Sequence, residues 1–524
     1  MGRWGSALVL AGALCGCAVG PDFKRPVAPA DAGYSPKPLA EVSASSPIEG
    51  GAAQHFVSGQ DVRFDWWTEF HSPGLNALVE RAIRANPTIE SARAALNQAQ
   101  ELVYAQQGYF FPTLGASYNF ERQQLAGNLS GSSAPGVQGN GSSITAVQNP
   151  SGTPHNVPLT YNFHTAELDL SYNPDVFGGN RRQVESSDAQ AKLQKFELEA
   201  AYITLASNVV AAAIQEASTR AQIAAAREII DENTKSLNIL LNQQKFGQAM
   251  AIDVAAQQTA LAQAQQALPP LQKQLEQTRD LIRVLVGNLP NQDVEETFEL
   301  SSLHLPENIP LSLPSKIIEQ RPDVRAAEEQ MRSANANVGA AIANLLPQFS
   351  LSGSVGGTAT EFGQMFASGG PYWTLIGSVA QTIFDGGTLL HKEHAANEAL
   401  VQSAAQYRST VLAAYQNVAD TLHAMLADAE YLKATAITEH AAKVTLDITR
   451  KQADIGFVNS LTLLQAEQAY QTALINLTQA RATRFGDTAA LFQALGGGWW
   501  NRTDVNTDVK HDSANSSGNG KGAS

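Results

Sequence analysis

Hydrophobic and polar positions along this chain follow two different periods. Residues 180 to 246 contain neither glycine nor proline, nor do residues 388 to 455, and in both runs apolar residues return at helical spacing among Ala, Gln, Leu, Glu and Lys. The runs are 67 and 68 residues long. At about 1.5 Å per residue each extends roughly 100 Å as a helix, which suits coiled coils better than a globular core. Each run ends at a glycine turn, KFGQAMAID or DIGFVNSLT, after which a second helical stretch returns. Pro269 and Pro270 predict a kink in the first returning helix. Elsewhere the period drops to two. Leu114, Ala116, Tyr118 and Phe120 alternate with Gly115, Ser117, Asn119 and Glu121, and Ala166, Leu168, Leu170 and Tyr172 alternate with Glu167, Asp169, Ser171 and Asn173. Phe349, Leu351, Gly353 and Val355, then Trp373, Leu375, Gly377 and Val379, repeat the pattern more weakly. These four stretches predict strands with one apolar and one polar face.

The two halves of the chain carry the same series. An offset of 235 residues lays NPTIESARAALNQAQELVYAQQGYFFPTLGAS onto RPDVRAAEEQMRSANANVGAAIANLLPQFSLS without a gap, pairing Pro87 with Pro322, Ala99 with Ala334 and Pro112 with Pro347. An offset of 209 pairs Leu237 with Leu446, Gly247 with Gly456 and Gly287 with Gly496. Such self-similarity predicts a duplication, each half reading helix, strand, loop, strand, very long helix, tight turn, long helix. The 26-residue difference between the offsets falls on the Gly-, Ser- and Asn-rich stretch 125 to 157, a long surface loop. The implied division is a leader at 1–16, an N-terminal segment at 17–75, a first repeat at 76–300, a second at 301–500 and a polar, disordered tail at 501–524.

Charge and cysteine content narrow the class. The formal net charge is −14, which argues against a nucleic-acid partner. The two cysteines, Cys15 and Cys17, stand too close in the chain for ordinary disulfide geometry, and no Cys/His cluster elsewhere completes a zinc site. They close a segment with Arg3, an apolar run from Ala7 to Leu14 and small residues, the pattern of a secretory signal. The run LCGC resembles a bacterial lipobox, which implies cleavage before Cys17, loss of Cys15 and acyl chains on Cys17; ordinary cleavage with a spare thiol is the alternative. Ala18, rather than Asp, after that cysteine favours sorting to the outer membrane by the same resemblance. No stretch after residue 17 reads as a membrane helix, so a chain that crosses a membrane does so with strands. Four strands cannot close a barrel. Two copies give a barrel filled by side chains, whereas three give twelve strands around a lumen and twelve long helices in a second tube. The fold class expected is α+β, a trimeric β-barrel continuous with a long α-helical barrel.

The segments CAVGPDFKRP and FDWWTEFHSPGLNALVERAIRANP, the turns VFGG and IFDGG, the stretch IGFVNSLTLLQAEQAY and the ending ALGGGWW, in this order, resemble the outer membrane efflux lipoproteins. These are TolC-like outer membrane factors, in the branch that serves resistance-nodulation-division transporters. The resemblance spans roughly residues 14 to 500 and implies a homotrimer with an outer membrane barrel, a periplasmic helical tunnel and an equatorial collar. It implies as partners a periplasmic adaptor, an inner membrane transporter and outer membrane lipids, with no enzymatic activity and no cofactor beyond the lipid on Cys17. No Ser/His/Asp, Walker or metalloprotease pattern is present. His391 and His394 stand three apart on a helix, where solvated side chains are the ordinary reading of such a pair, and Trp66 and Trp67 resemble packing anchors near the collar.

By the same resemblance the two glycine turns form the periplasmic tip. Gly247 and Gly456 take adaptor-contact positions, Leu461 falls on a ring of leucines that closes the tube, and Gln465 falls where the family usually carries a cation-selecting aspartate. A neutral amide cannot supply that ring's field. Asp253 matches an acid that ties neighbouring hairpins shut in family members, but Val458 replaces its arginine partner; a charge favoured at a helix N-terminus is the other reading of Asp253. The function implied is passive export through a duct opened by an adaptor and an energised transporter. The other expectations are a type I secretion duct, which differs in client, and a structural lipoprotein that spaces the envelope.

Overall fold

A computed structural model describes residues 18–27, 33–125, 138–139, 142–143 and 159–502. The leader, Cys17, most of the 125–157 loop and the tail beyond 502 lie outside the described residues. The elements follow in the order β1 (His55–Ser58), α1 (Pro73–Ala85), α2 (Pro87–Gln107), β2 (Thr113–Leu125), β3 (Leu159–Tyr172), α3 (Gly179–Lys245) and α4 (Ala251–Leu285). The second half continues with β4 (Asn308–Leu311), α5 (Pro314–Gln320), α6 (Pro322–Ala343), β5 (Gln348–Ala359), β6 (Pro371–Ala380), α7 (Thr388–Asp454) and α8 (Ser460–Ala494).

Helix boundaries obey the duplication residue by residue. α3 and α7 are 67 residues each and α4 and α8 are 35 each, every end displaced by the offset of 209. Glycine explains where the returning helices stop. Gly287 and Gly496 hold left-handed φ values of 80° and 91°, and each closes its helix with a bond from the next residue to the carbonyl five back, Asn288 to Arg283 and Gly497 to Phe492. A β-carbon on Gly287 would stand 2.6 Å from the Ala85 carbonyl oxygen, and one on Gly496 2.8 Å from that of Gln320. Ala85 and Gln320 are themselves partners under the offset of 235, so both halves bury the same backbone approach. Helix α4 is continuous through Pro269 and Pro270, which are exposed, as are Gln265 and Gln266, the residues whose carbonyls lose their donors. The prolines therefore do not end it, because water can satisfy those groups.

The chain forms two compact units that cut across both repeats. The first gathers, among the described residues, those of 98–191 and 330–404 together with 18–24. Its sheet is antiparallel in the order β2-β3-β5-β6. Register puts Ala116, Leu168, Val355 and Trp373 in one row and Leu114, Leu170, Gly353 and Leu375 in the next, all on one face. The other face carries Ser117, Glu167, Gly356 and Tyr372, then Gly115, Asp169, Ser354 and Thr374. Tyr372 donates its hydroxyl to Glu167 at 2.6 Å.

The second unit comprises, among the described residues, 25–27, 33–97, 192–329 and 405–502. Its core joins Trp66, Phe70, Leu75 and Leu78 to Val209, Ile309, Leu422 and Phe492. Trp66 and Trp67 are packing anchors, as the resemblance implies: both are buried, and Trp66 stacks on Phe492 with ring centroids 5.2 Å apart. One stretch of α3 is long and apolar enough by composition to cross a membrane, contrary to the sequence expectation, and 67% of it is buried inside the protein. It is a core segment. A parallel pair between β1 and β4, unexpected from sequence, aligns His55 with Asn308 and Ser58 with Leu311.

Candidate functional site

The two helix reversals in the second unit are built alike. Gly247 and Gly456 both have φ of 73°. Gln248 donates to the Gln243 carbonyl and Phe457 to that of Gln452, both at 2.8 Å, so each long helix closes in the same glycine-dependent loop. A β-carbon at either glycine would meet nothing within 4 Å. Unlike Gly287 and Gly496, these glycines serve the turn and leave open space beside it. Phe246, Met250 and Ile252 on the first turn, and Ile455, Phe457 and Leu461 on the second, are exposed apolar side chains.

The returning helices start differently. Asn459 caps α8, its Oδ1 accepting from the Thr462 backbone N–H at 2.9 Å and from the Thr462 hydroxyl at 2.7 Å. In α4 the carboxylate of Asp253 accepts from the Met250 N–H at 3.1 Å. Asp253 thus engages its own helix start, where the dipole favours a negative charge.

Leu461 and Gln465 lie one helical turn apart on an exposed face of α8, and Leu461 is 55% exposed. Glu467 points the other way and is 1% exposed. It accepts from the Ser236 hydroxyl at 2.9 Å and lies 3.9 Å from the Arg450 guanidinium, which pairs with Glu232 at 2.6 Å. The spacing of Glu467 within α8, two places after the exposed Gln465 and one after the buried Ala466, signals this burial once the packed face is known.

The first unit adds a feature that motif reading missed. Gly178 in VFGG has φ of 76°, and a β-carbon there would fall 2.6 Å from the α-carbon of Ala18. Val19 donates to the Phe177 carbonyl at 3.0 Å. The buried Arg182 donates to the carbonyls of Val19 and Gly20 at 3.1 and 3.2 Å and pairs with Asp22 at 2.8 Å. The residues that follow Cys17 are therefore seated where β3 gives way to α3. The signal lay in the first glycine of VFGG, whose partner is 160 residues earlier in the chain. His391 and His394 face each other at 6.0 Å between ring centroids, and no group of three or more metal-ligating side chains occurs among the described residues.

A sequence model of the family described as outer membrane efflux protein matches residues 78–288 and 313–497. The chain is 26% identical over 504 residues to the toluene efflux pump outer membrane protein TtgC of Pseudomonas putida, with 95% of this chain and 96% of that one covered. It is 26% identical over 497 residues to the outer membrane protein OprJ of Pseudomonas aeruginosa, covering 94% and 95%. Among solved structures, the Campylobacter jejuni CmeC outer membrane channel superposes with a TM-score of 0.78 at 20% identity over 95% of this chain and 99% of that one, a likeness of fold.

Proposed function

Because this chain belongs to the outer membrane efflux protein family, we propose that three copies close a twelve-stranded barrel in the outer membrane and that the helical hairpins continue it into the periplasm as an exit duct. The observation that carries this reading is the four-stranded sheet, apolar on one face and polar on the other, whose end strands β2 and β6 each have one unpaired edge among the described residues. Unpaired edges are costly in lipid, and copies joined edge to edge remove them. The polar face then lines water and the Leu168–Trp373 face meets lipid.

The chain supplies no free energy. A resistance-nodulation-division transporter in the inner membrane and a periplasmic adaptor deliver the solute, with the adaptor meeting the open space at Gly247 and Gly456. Leu461 side chains from three copies close the tip as a dry plug, and the neutral Gln465 leaves that plug without a carboxylate ring. Asp253 is a weaker candidate for the gate, since its carboxylate already caps α4. Acyl chains on Cys17 anchor the segment that Gly178 and Arg182 seat, and no other cofactor is required. The division into a leader at 1–16, a lipidated segment at 17–75 and repeats at 76–300 and 301–500 remains part of this proposal. Native mass spectrometry in detergent is expected to give three chains. A stable monomer with full conductance in planar bilayers overturns the reading.

A further inference from the structure

Two turns above the Gly456 loop, the four long helices meet in a buried polar knot. Glu467 of α8 is almost wholly buried beside Leu446, Ala466 and Tyr470. One of its oxygens accepts from Ser236 of α3; the other has no hydrogen-bond partner. Gln257 of α4 directs its amide to the Asn233 side chain of α3 at 3.0 Å. The charged groups around the knot include Arg450 and Asp447 on α7 and Glu232 and Lys235 on α3, with Lys235 paired to Asp231, Arg450 committed mainly to Glu232, and Glu228 and Glu439 acting on the neighbouring Tyr470. A buried carboxylate with one oxygen unsatisfied costs stability, so an apolar residue would pack there more simply.

We propose that Glu467 is a positioning residue of the gate, holding the Leu461 turn of α8 against α3 through Ser236 and the Arg450–Glu232 pair, and that its exposure to water accompanies opening of the tip. The inference rests on reading Leu461 as the gate. Leu461 lies six residues before Glu467, about 9 Å along the helix, so loosening α8 at Glu467 moves it directly. Burial pushes the Glu467 carboxyl above the usual carboxylate range, with Ser236, Arg450 and the Gln257 amide opposing and Glu232 adding to the rise. A group whose pKa is raised in the packed state favours that state when protonated and opposes it as pH rises through the raised value. Acid therefore holds the tip shut and alkali loosens it. A simple salt bridge to Arg450 would have the opposite sign.

The test is resting single-channel conductance of the full-length protein in planar bilayers at about pH 8 and about pH 5, where a closed-to-open shift follows the proton linkage. The wild type is expected to conduct at least about threefold less in acid. Glu467→Gln, which keeps an acceptor for Ser236, is expected to conduct at the low acid level at both pH values, and Ser236→Ala to conduct more than the wild type at both. Hydrogen exchange of residues 460–467, corrected for its intrinsic pH dependence, is expected to show greater protection in acid for the wild type and none of that change in Glu467→Gln. Wild-type conductance that rises in acid, or a pH response that survives in Glu467→Gln, overturns the inference. Leu461→Ala separates the two readings: if it opens the channel while the pH response is absent, only the Glu467 role falls, and if it leaves conductance unchanged the gate itself is misassigned.

Discussion

Leu461 and Gln465 differ in what they can do at the same exposed stripe of α8. Leu461→Ala removes the apolar bulk that excludes water and is expected to raise resting conductance and admit large antibiotics into the cell, measured as single-channel current and as growth inhibition. Gln465→Asp adds a carboxylate without removing bulk, so it is expected to introduce block by a trivalent cation while leaving the tip closed; equal block of the wild type would move the selecting ring elsewhere. The glycines divide by a similar argument. Gly247→Ala and Gly456→Ala meet open space and carry only the left-handed backbone penalty, about 1 kcal/mol each. Gly287→Ala and Gly496→Ala add a clash with the Ala85 or Gln320 carbonyl, so their unfolding midpoints are expected to fall further than those of the turn variants.

At the scale of the elements, α7 and α8 meet through two carboxyl groups. Burial and the adjacent Asp428 push the Asp487 carboxyl up to about 7. Arg484, one turn earlier on α8, is buried and directs its guanidinium to the carbonyls of Gly50 and Ala52, leaving the acid pair without that charge as a direct partner. A folded-state pKa raised above the unfolded one contributes stability in acid that is lost as pH rises through the folded value. The wild type is accordingly expected to melt at a lower temperature at about pH 8 than at about pH 5, and Asp487→Asn to lessen that difference. Calorimetry that finds the same pH slope in the variant contradicts the assignment to this pair. The start of α8 gives a second measurement: Asn459→Ala removes both bonds to Thr462 and is expected to cost about 1 kcal/mol, with fraying of residues 460–463 visible by hydrogen exchange.

On the scale of the whole molecule, the seating of the N-terminal segment links anchoring to the sheet. Ala18 occupies the space that Gly178 leaves, and Arg182 fixes the next residues. A lipid on Cys17 would then enter the membrane next to the junction of β3 and α3. Mass spectrometry of the mature protein is expected to find a diacylated Cys17 at the N-terminus, and an unmodified terminus elsewhere contradicts it. Two acyl chains give durable anchoring where one is marginal. Gly178→Ala is expected to dislodge residues 18–22 and make the segment a site of limited proteolysis, while Cys17→Ser leaves the segment seated but unanchored.

Periodicity and repetition by themselves determined the element order, the duplicated halves, the four strands and the turn glycines, because each depends on neighbours within a few residues or on a constant offset. The 209-residue offset even predicts both ends of α7 and α8 from α3 and α4. Other features were decided only in three dimensions. Glu467 is the next acid after Gln465 along the chain, and it is packing that turns it inward while leaving Gln465 outside. Gly178 owes its role to Ala18, Gly496 to Gln320, and β1 pairs with β4 across some 250 residues. No local pattern carries those pairings. Which face of a helix is buried, and which backbone approaches another, is set by the partner element, and the sequence of one element does not contain the position of its partner.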